Sequence, residues 1–283
     1  MKKTAILSLA IIMCFFAVTG SIAYFTDSID VQNVVKAGNL KIAQSEYMRD
    51  NGDLVAWKEQ SLYPAVKKEG ATSEFLSVDG KLYTINEESM NGFVDKIVVV
   101  ENQGSLQTYV RTFVALPASF DEAIQLEWNE SADGWFVENK KPEDNKPEPI
   151  LADITCTIDG QEISGQYAIY YATYQQKLAA KDDPQKGNVA PPSLLGFYLD
   201  PKVNHNGVEY TMNGQPIGSD DELKILVATQ ASQVIPTGIG EETTRMNAMD
   251  ALKETYDKVE IDEKNGTEKV IIRHPWYLEE NTK

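Results

Sequence analysis

The sequence predicts a mainly β protein, a β-sandwich with a few short helices and long loops. Short runs rich in Val, Ile, Thr and aromatic residues recur along the chain, and Gly, Asn, Asp or Pro bound most of them. A helical pattern, in contrast, is strong in one place only. With 283 residues, of which 42% are hydrophobic, the chain is long enough to bury a sizeable core.

Two β-branched segments around a polar turn carry the clearest strand signal. Residues 95–101 read Asp-Lys-Ile-Val-Val-Val-Glu, the turn 102–105 follows, and 106–116 resumes with β-branched and aromatic residues. These segments predict two strands separated by a turn. The remaining predicted strands are short and are bounded by turn-forming residues: 40–42, 75–78, 81–85, 135–137, 154–158, 168–174, 196–199, 208–212, 224–228 and 270–273.

One amphipathic helix is predicted near the C-terminal end of the chain. Within 243–256, Ala248, Leu252 and Tyr256 recur every four residues, which places their side chains on one helix face. A second helical segment is predicted at 174–181, because Gln, Lys, Leu and Ala favour helix after the aromatic run that precedes it.

The first 23 residues predict an export signal peptide. Two lysines precede an uncharged stretch, and small residues precede an expected cut between Ala23 and Tyr24. The most apolar part, 5–18, is shorter than the about 20 residues that a membrane-spanning helix needs, although a retained anchor is the alternative. We therefore expect 24–283 to be a secreted mature chain.

The mature chain is predicted to fold as a single domain. The charged, proline-rich segment 140–149 predicts a long exposed loop, because strand-like segments continue on both sides of it with similar spacing. A linker between two domains is the alternative interpretation of this segment. Cys156 is the one cysteine left after cleavage of the leader, and its place in an alternating run predicts a small core residue.

Charge and motif content argue against several classes of function. The formal net charge of −17 opposes binding to nucleic-acid phosphates. The two histidines, His205 and His274, lie outside any zinc-binding spacing, and the phosphate-loop, dinucleotide and nucleophile-elbow motifs are missing from the sequence. The sequence therefore predicts a protein that is not an enzyme, without a cofactor or a metal site.

The segment that follows the expected cleavage site carries a family resemblance. Residues 23–28 read Ala-Tyr-Phe-Thr-Asp-Ser, Asn33 follows, and 36–42 read Lys-Ala-Gly-Asn-Leu-Lys-Ile. This arrangement resembles the start of TasA/camelysin-family proteins, and the strand-turn-strand pattern at 100–106 and 109–111 is similar to that family as well. The resemblance implies a jelly-roll-like sandwich, export from a Gram-positive bacterium through a dedicated signal peptidase, and assembly into extracellular biofilm-matrix or pilus-like fibres.

The resemblance also implies donor-strand exchange, in which the N-terminal segment of one subunit completes the sheet of the next. The candidate donor segment is 24–42. Its side chains Ile29 and Val31 alternate with polar residues, and Val34 and Val35 extend the apolar content. The same alternation fits an ordinary first strand within one subunit, so both pairings stay open. The expected partners are further copies of the chain, the signal peptidase and an accessory matrix protein.

Two other functions are compatible with the sequence. A cell-surface adhesin or fibre-accessory module could use an aromatic stripe formed by Tyr167, Tyr170, Tyr171 and Tyr174, although strand spacing fits core packing equally well. A secreted metalloprotease is the other function, because some camelysin relatives carry that label. It conflicts with the missing zinc spacing.

Overall fold

The computed structural model describes the chain in segments, from Asn39 onward. The described residues are 39–50, 53–58, 66–67, 74–78, 81–85, 90–91, 93–143, 145–158, 160–183, 187–219, 223–234, 247–261 and 268–276. The predicted leader 1–23, the cleavage positions Ala23 and Tyr24, and the donor-strand residues lie outside the described residues. Those donor-strand residues are Ile29, Val31, Val34 and Val35.

Antiparallel strands form most of the regular structure, which confirms the mainly β prediction. The strands in chain order are β1 (Ile42–Asp50), β2 (Asp53–Ala56), β3 (Val66–Lys67), β4 (Glu74–Val78), β5 (Lys81–Ile85), β6 (Met90–Asn91), β7 (Val94–Asp95), β8 (Ile97–Asn102), β9 (Thr108–Pro117), β10 (Ile124–Trp128), β11 (Trp135–Val137), β12 (Ile150–Ile158), β13 (Gln161–Tyr174), β14 (Leu194–Leu199), β15 (Val203–His205), β16 (Tyr210–Met212), β17 (Gln215–Gly218), β18 (Leu226–Gln233), β19 (Lys258–Ile261) and β20 (Glu268–Ile271). A 3-10 turn spans Ala118–Phe120, and helix α1 spans Ala248–Tyr256.

Two layers of strands make the sandwich. In the first layer β9 pairs with β13 on one side and with β18 on the other, while β11 and β12 pair with successive lengths of the far edge of β13. The second layer consists of β2-β1-β8 and β10-β14-β7. Main-chain hydrogen bonds from Lys96 N to Leu195 O at 3.1 Å and from Ser193 N to Val98 O at 2.8 Å join its two parts. The jelly-roll arrangement of these strands stays a prediction.

The hydrophobic core lies between the layers. Val114 and Leu116 of β9 pack there against Val98 of β8 and against Leu194 and Phe197 of β14. These side chains are at most 4% exposed, so the removal of apolar surface from water holds the layers together.

The opposite face of the first layer is covered as well. Phe113 of β9 and Tyr171 of β13 pack with Trp276, which follows β20. Helix α1 packs Leu252 against Tyr109 at the other end of β9. Since both faces of β9 are covered, all ten of its residues are buried, and the strand is apolar on both faces apart from a few polar positions.

The aromatic run of β13 belongs to this packing and does not form a surface stripe. Tyr167 and Tyr171 pack with Phe113 and Trp276 on the outer face, in what we call the outer cluster. Tyr170 packs against the core described above, and Tyr174 packs with Trp135 in a second cluster between the layers. Tyr170 also donates a hydrogen bond to Asp121 Oδ1 at 2.5 Å. Core packing therefore accounts for the four tyrosines.

One of the two helix predictions is confirmed in part and the other is wrong. Helix α1 begins after Asn247, whose side chain accepts a hydrogen bond from the backbone N–H of Asp250 at 2.9 Å, while 243–246 lie outside the described residues. The helix predicted at 174–181 does not form. Tyr174 ends β13. The side chain of Leu178 is buried in the core, and its main chain exchanges two hydrogen bonds with Thr108. The segment therefore follows the sheet and does not coil into a helix.

Candidate functional site

The chain enters the described structure at Asn39, where it lies against the turn that joins β8 to β9. Ser105 N donates to Asn39 O at 2.9 Å, and Gln103 N donates to Lys41 O at 2.8 Å. In return, Asn39 N donates to Ser105 Oγ at 2.9 Å. The described parts of the two segments that resemble the TasA/camelysin family are therefore in direct contact, and we call this contact the N-terminal junction.

Gly104 allows the junction to close. A Cβ atom at this position would lie 2.2 Å from Asn39 O and 2.7 Å from Lys41 N, both of which are backbone atoms. Real Cβ atoms do not approach other atoms so closely, so any larger residue must displace the entering chain. The glycine is required here for close approach of two backbones.

Asn102 holds the turn from inside. Its side chain is fully buried, and Nδ2 donates to Leu106 O and to Ala179 O, both at 2.7 Å. Its Oδ1 accepts from Gly104 N at 2.9 Å. Since the amide satisfies its polar atoms with main-chain partners, it fixes the turn without leaving a buried group unpaired.

The strand that follows the junction belongs to its own subunit. β1 pairs with β8, and Gln44 on β1 reaches across to β18, accepting from Thr229 Oγ1 at 2.7 Å and donating to Val227 O at 3.4 Å. Residues from Asn39 to Asp50 are thus held in cis. An exchanged segment, if there is one, must precede Asn39.

A strand edge of the first layer is exposed. β12 pairs with β13 along one side, and none of the described strands pairs with its other side. Ile154 on β12 is fully buried, whereas Leu151 is 60% exposed and Asp153 is the one charged residue of the strand. A nine-residue edge with an exposed leucine and one charge offers main-chain groups for pairing with another strand.

The free edge ends with β12. β11 pairs with the same side of β13, but its outer side is occupied, because Ser131 N donates to Trp135 O and Val137 N donates to Glu130 Oε1, both at 3.1 Å. Its Phe136 is 39% exposed. The Lys140 ammonium lies 5.6 Å from the centre of the Phe136 ring, a cation–π contact at the surface. We refer to the outer side of β12 as the exposed edge.

The two histidines lie in different parts of the fold. His205 is exposed on β15 and contacts the Tyr210 ring, with centroids 4.7 Å apart. His274 is buried beside Trp276, and burial lowers the pKa of His274 to about 4. Within the ranges that the structure covers, no group of three or more His, Cys, Asp or Glu side chains is placed to hold a metal ion.

Sequence reasoning singled out the junction residues for their family resemblance, but it did not place them in contact. It located β12 from 154 onward and missed Leu151, because the stretch that opens the strand lacks the β-branched run used to recognise strands. Cys156, predicted as a core residue, is partly buried against the outer cluster.

In the described part of the chain, no helix has the length and apolar character needed to cross a membrane. The resemblance to the TasA/camelysin family stays a prediction. Comparisons of the chain with protein-family models, with curated proteins and with solved structures found no match.

Proposed function

We propose that the chain is a secreted structural subunit that assembles with copies of itself into extracellular fibres. In this proposal, the segment before Asn39 of one copy pairs with the exposed edge of the next copy. The observation that supports it most directly is the outer side of β12, a long strand with an exposed leucine, with which no strand in the described part of the chain pairs. An accessory matrix protein as a further partner stays a prediction.

The lengths of the two partners are compatible. Residues 24–35 in extended form are longer than the nine residues of β12, and 36–38 then connect the donor to the N-terminal junction. The junction fixes where the donor leaves its own subunit, because Asn39 and Lys41 are hydrogen-bonded to the turn between β8 and β9. A fixed exit limits the directions in which the next subunit can attach.

The side-chain patterns are compatible as well. Ile154 and Cys156 of β12 point to the apolar cluster under Trp276, while Asp153 and Thr155 point to the opposite, exposed face. A donor strand beside β12 would alternate in the same way. Its apolar positions, which include Ile29 and Val31, would extend the cluster, and its polar positions would extend the exposed face.

We expect removal of the donor segment to abolish fibre formation. A chain that starts at Tyr24 should form fibres visible by electron microscopy, and a chain that starts at Lys36 should stay monomeric in sedimentation. Both chains should give the same β-rich circular dichroism spectrum, because the residues removed precede the N-terminal junction. Equal polymerisation of the two chains contradicts donor-strand exchange.

A pair of single substitutions sharpens this experiment. Val31→Lys places a charge on the apolar face of the donor, whereas Gln32→Lys places the same charge on its polar face. Fibre assembly should be lost in the first variant and retained in the second.

A charge on the exposed edge is expected to weaken assembly. Leu151→Lys should reduce subunit association by up to about fivefold, since a cross-strand contact of Leu151 on the exposed face is worth up to about 1 kcal/mol and a lysine opposes edge pairing. Val208→Lys is the matched control, because Val208 is 80% exposed on the loop before β16. Sedimentation velocity over a concentration series measures both variants, and equal association of the two would contradict the use of this edge.

A further inference from the structure

Strand β1 and the link between β7 and β8 bring a lysine and a glutamate together inside the protein. The Nζ atom of Lys96 contacts Oε2 of Glu46, and the two side chains are 2% and 5% exposed. The adjacent carboxylate of Asp95 is engaged by Arg49, with Oδ1 2.7 Å from Nη2. Glu46 is therefore the carboxylate that faces the amine of Lys96.

The surrounding groups fix the orientation of this pair. The Trp57 ring lies over the amine, its centre 3.6 Å from Lys96 Nζ. Trp57 is itself held by hydrogen bonds from Nε1 to Asp95 O at 2.7 Å and from its backbone N to Glu46 O at 3.0 Å. These contacts leave the amine little freedom to turn away from the carboxyl group.

The two oxygens of Glu46 have different surroundings. Oε1 accepts a hydrogen bond from Gln44 Nε2 at 3.0 Å, and Gln44 is anchored in turn by Thr229. Oε2, in contrast, accepts no hydrogen bond of regular geometry, although Lys96 Nζ touches it. Oε1 is thus held by an amide donor, as the oxygen of an amide would be, while Oε2 lies against the amine of Lys96.

Burial also shifts both groups toward their uncharged forms. Burial raises the pKa of Glu46 and lowers the pKa of Lys96, and the attraction between the two charges offsets these changes in part. An uncharged amine is a nucleophile, and a carboxyl group that has lost its charge accepts attack at carbon more readily than a carboxylate does.

We propose that Lys96 and Glu46 condense to form an intramolecular isopeptide bond. A bond forms between Nζ of Lys96 and Cδ of Glu46, and the bond between Cδ and Oε2 breaks. Two of the three ammonium protons leave with Oε2 as water, and the third remains on the amide nitrogen. Oε1 becomes the amide oxygen and keeps its hydrogen bond from Gln44. The reaction consumes one positive and one negative charge and needs no oxidant or other reagent.

The bond would join β1 to the segment between β7 and β8, closing a loop over residues 46–96. Cross-links of this kind reduce the conformational freedom of the unfolded chain, as disulfides do. The inference does not rest on the proposed function, because the bond forms within one subunit whether or not the subunits polymerise. Its test is accordingly separate from the fibre experiments.

Mass spectrometry of the full chain decides the proposal. The measured mass of the intact protein should be lower, by the mass of one water molecule, than the mass calculated for the chain that begins at its measured N-terminal residue. Trypsin should not cut after Lys96, and the digest should contain a branched peptide that joins residues 46 and 96.

The chain supplies its own control in the same digest. Lys140 Nζ and Glu130 Oε1 lie 2.7 Å apart, but these side chains are 16% and 40% exposed, and they should be recovered in linear peptides. Lys96→Arg should restore the full mass, since a guanidinium does not form this amide. The proposal would be overturned if folded wild-type protein gave linear peptides containing Glu46 and Lys96. It would also be overturned if the loss of one water mass were located at other residues. Both results hold even if the arginine variant fails to fold.

Discussion

Replacement of Asp257 by alanine is expected to lower the free energy of unfolding by about 3–5 kcal/mol, because it leaves a buried guanidinium without its carboxylate. Arg111 on β9 and Asp257 after helix α1 are each 2% exposed. Their contact is bidentate, with Nη2 2.9 Å from Oδ1 and Nη1 3.1 Å from Oδ2. Such a pair is costly to break on one side only, since the remaining charge stays out of water.

The same carboxylate also ties the C-terminal segment to the sheet. Asp257 Oδ1 accepts from Arg273 N at 3.2 Å, while Gln230 of β18 donates to Arg273 O at 2.8 Å. Loss of Asp257 therefore loosens the segment that carries Trp276 over the outer face of the first layer.

Urea unfolding followed by circular dichroism measures the effect of Asp257→Ala. Asp250→Ala is the matched control, because this aspartate is exposed in the first turn of helix α1 and should contribute about 0.5 kcal/mol or less. The double variant Arg111→Met, Asp257→Leu removes both charges and should recover much of the stability. Similar losses in the Asp257 and Asp250 single variants would show that the buried pair does not stabilise the fold.

The strands of the sandwich were predictable where burial of one or both faces requires apolar residues at regular positions along the strand. β8 and β9 are examples, because Ile and Val form the first four residues of β8, and Val, Tyr and Phe recur along β9. Their pairing was not predictable, since the two strands follow one another around a short turn and yet belong to different layers. A turn alone does not determine whether the chain reverses within a sheet or crosses between sheets.

β1 shows why polar strands are missed. Sequence analysis predicted a strand at 40–42, of which Ile42 alone belongs to β1, and it did not predict the remainder of β1, which runs to Asp50. Gln44 and Glu46 occupy inward positions of β1 and are satisfied by Thr229 and Lys96, residues distant in sequence. The signal for a buried strand position is an apolar side chain, and these positions hold polar ones instead.

The candidate site was predictable in its parts and not in its geometry. The segment 36–42 and the turn around Gly104 were both singled out from the sequence, yet nothing in one sequence places them in contact. The exposed side of β12 depends on which strands pair with β13, a property of the whole sheet. The donor residues Ile29 and Val31 stay a prediction, because they lie outside the described residues.

Gly104→Ala is expected to destabilise the protein by about 2–4 kcal/mol, because the added methyl group has no space at the N-terminal junction. The backbone of Gly104 is not in the left-handed region, so the cost is steric and does not come from its φ angle. The atoms that the methyl group meets belong to the main chain of Asn39 and Lys41, which cannot rotate away as a side chain would. Relief of the clash requires the entering chain to leave the turn and to give up its hydrogen bonds to Gln103 and Ser105.

Gly187→Ala is the matched control for this substitution, because a Cβ atom there would meet Val189 O at an ordinary 4.0 Å. We expect the control to change the free energy of unfolding by less than about 0.5 kcal/mol. If the donor segment leaves the subunit at Asn39, Gly104→Ala should also reduce fibre yield at a temperature where the variant is still folded, since the exit of the donor is no longer fixed. Equal stability of the two alanine variants in urea would show that the chain does not cross the turn as closely as described. Normal fibre yield from folded Gly104→Ala would separate the junction from assembly and leave it a purely structural contact.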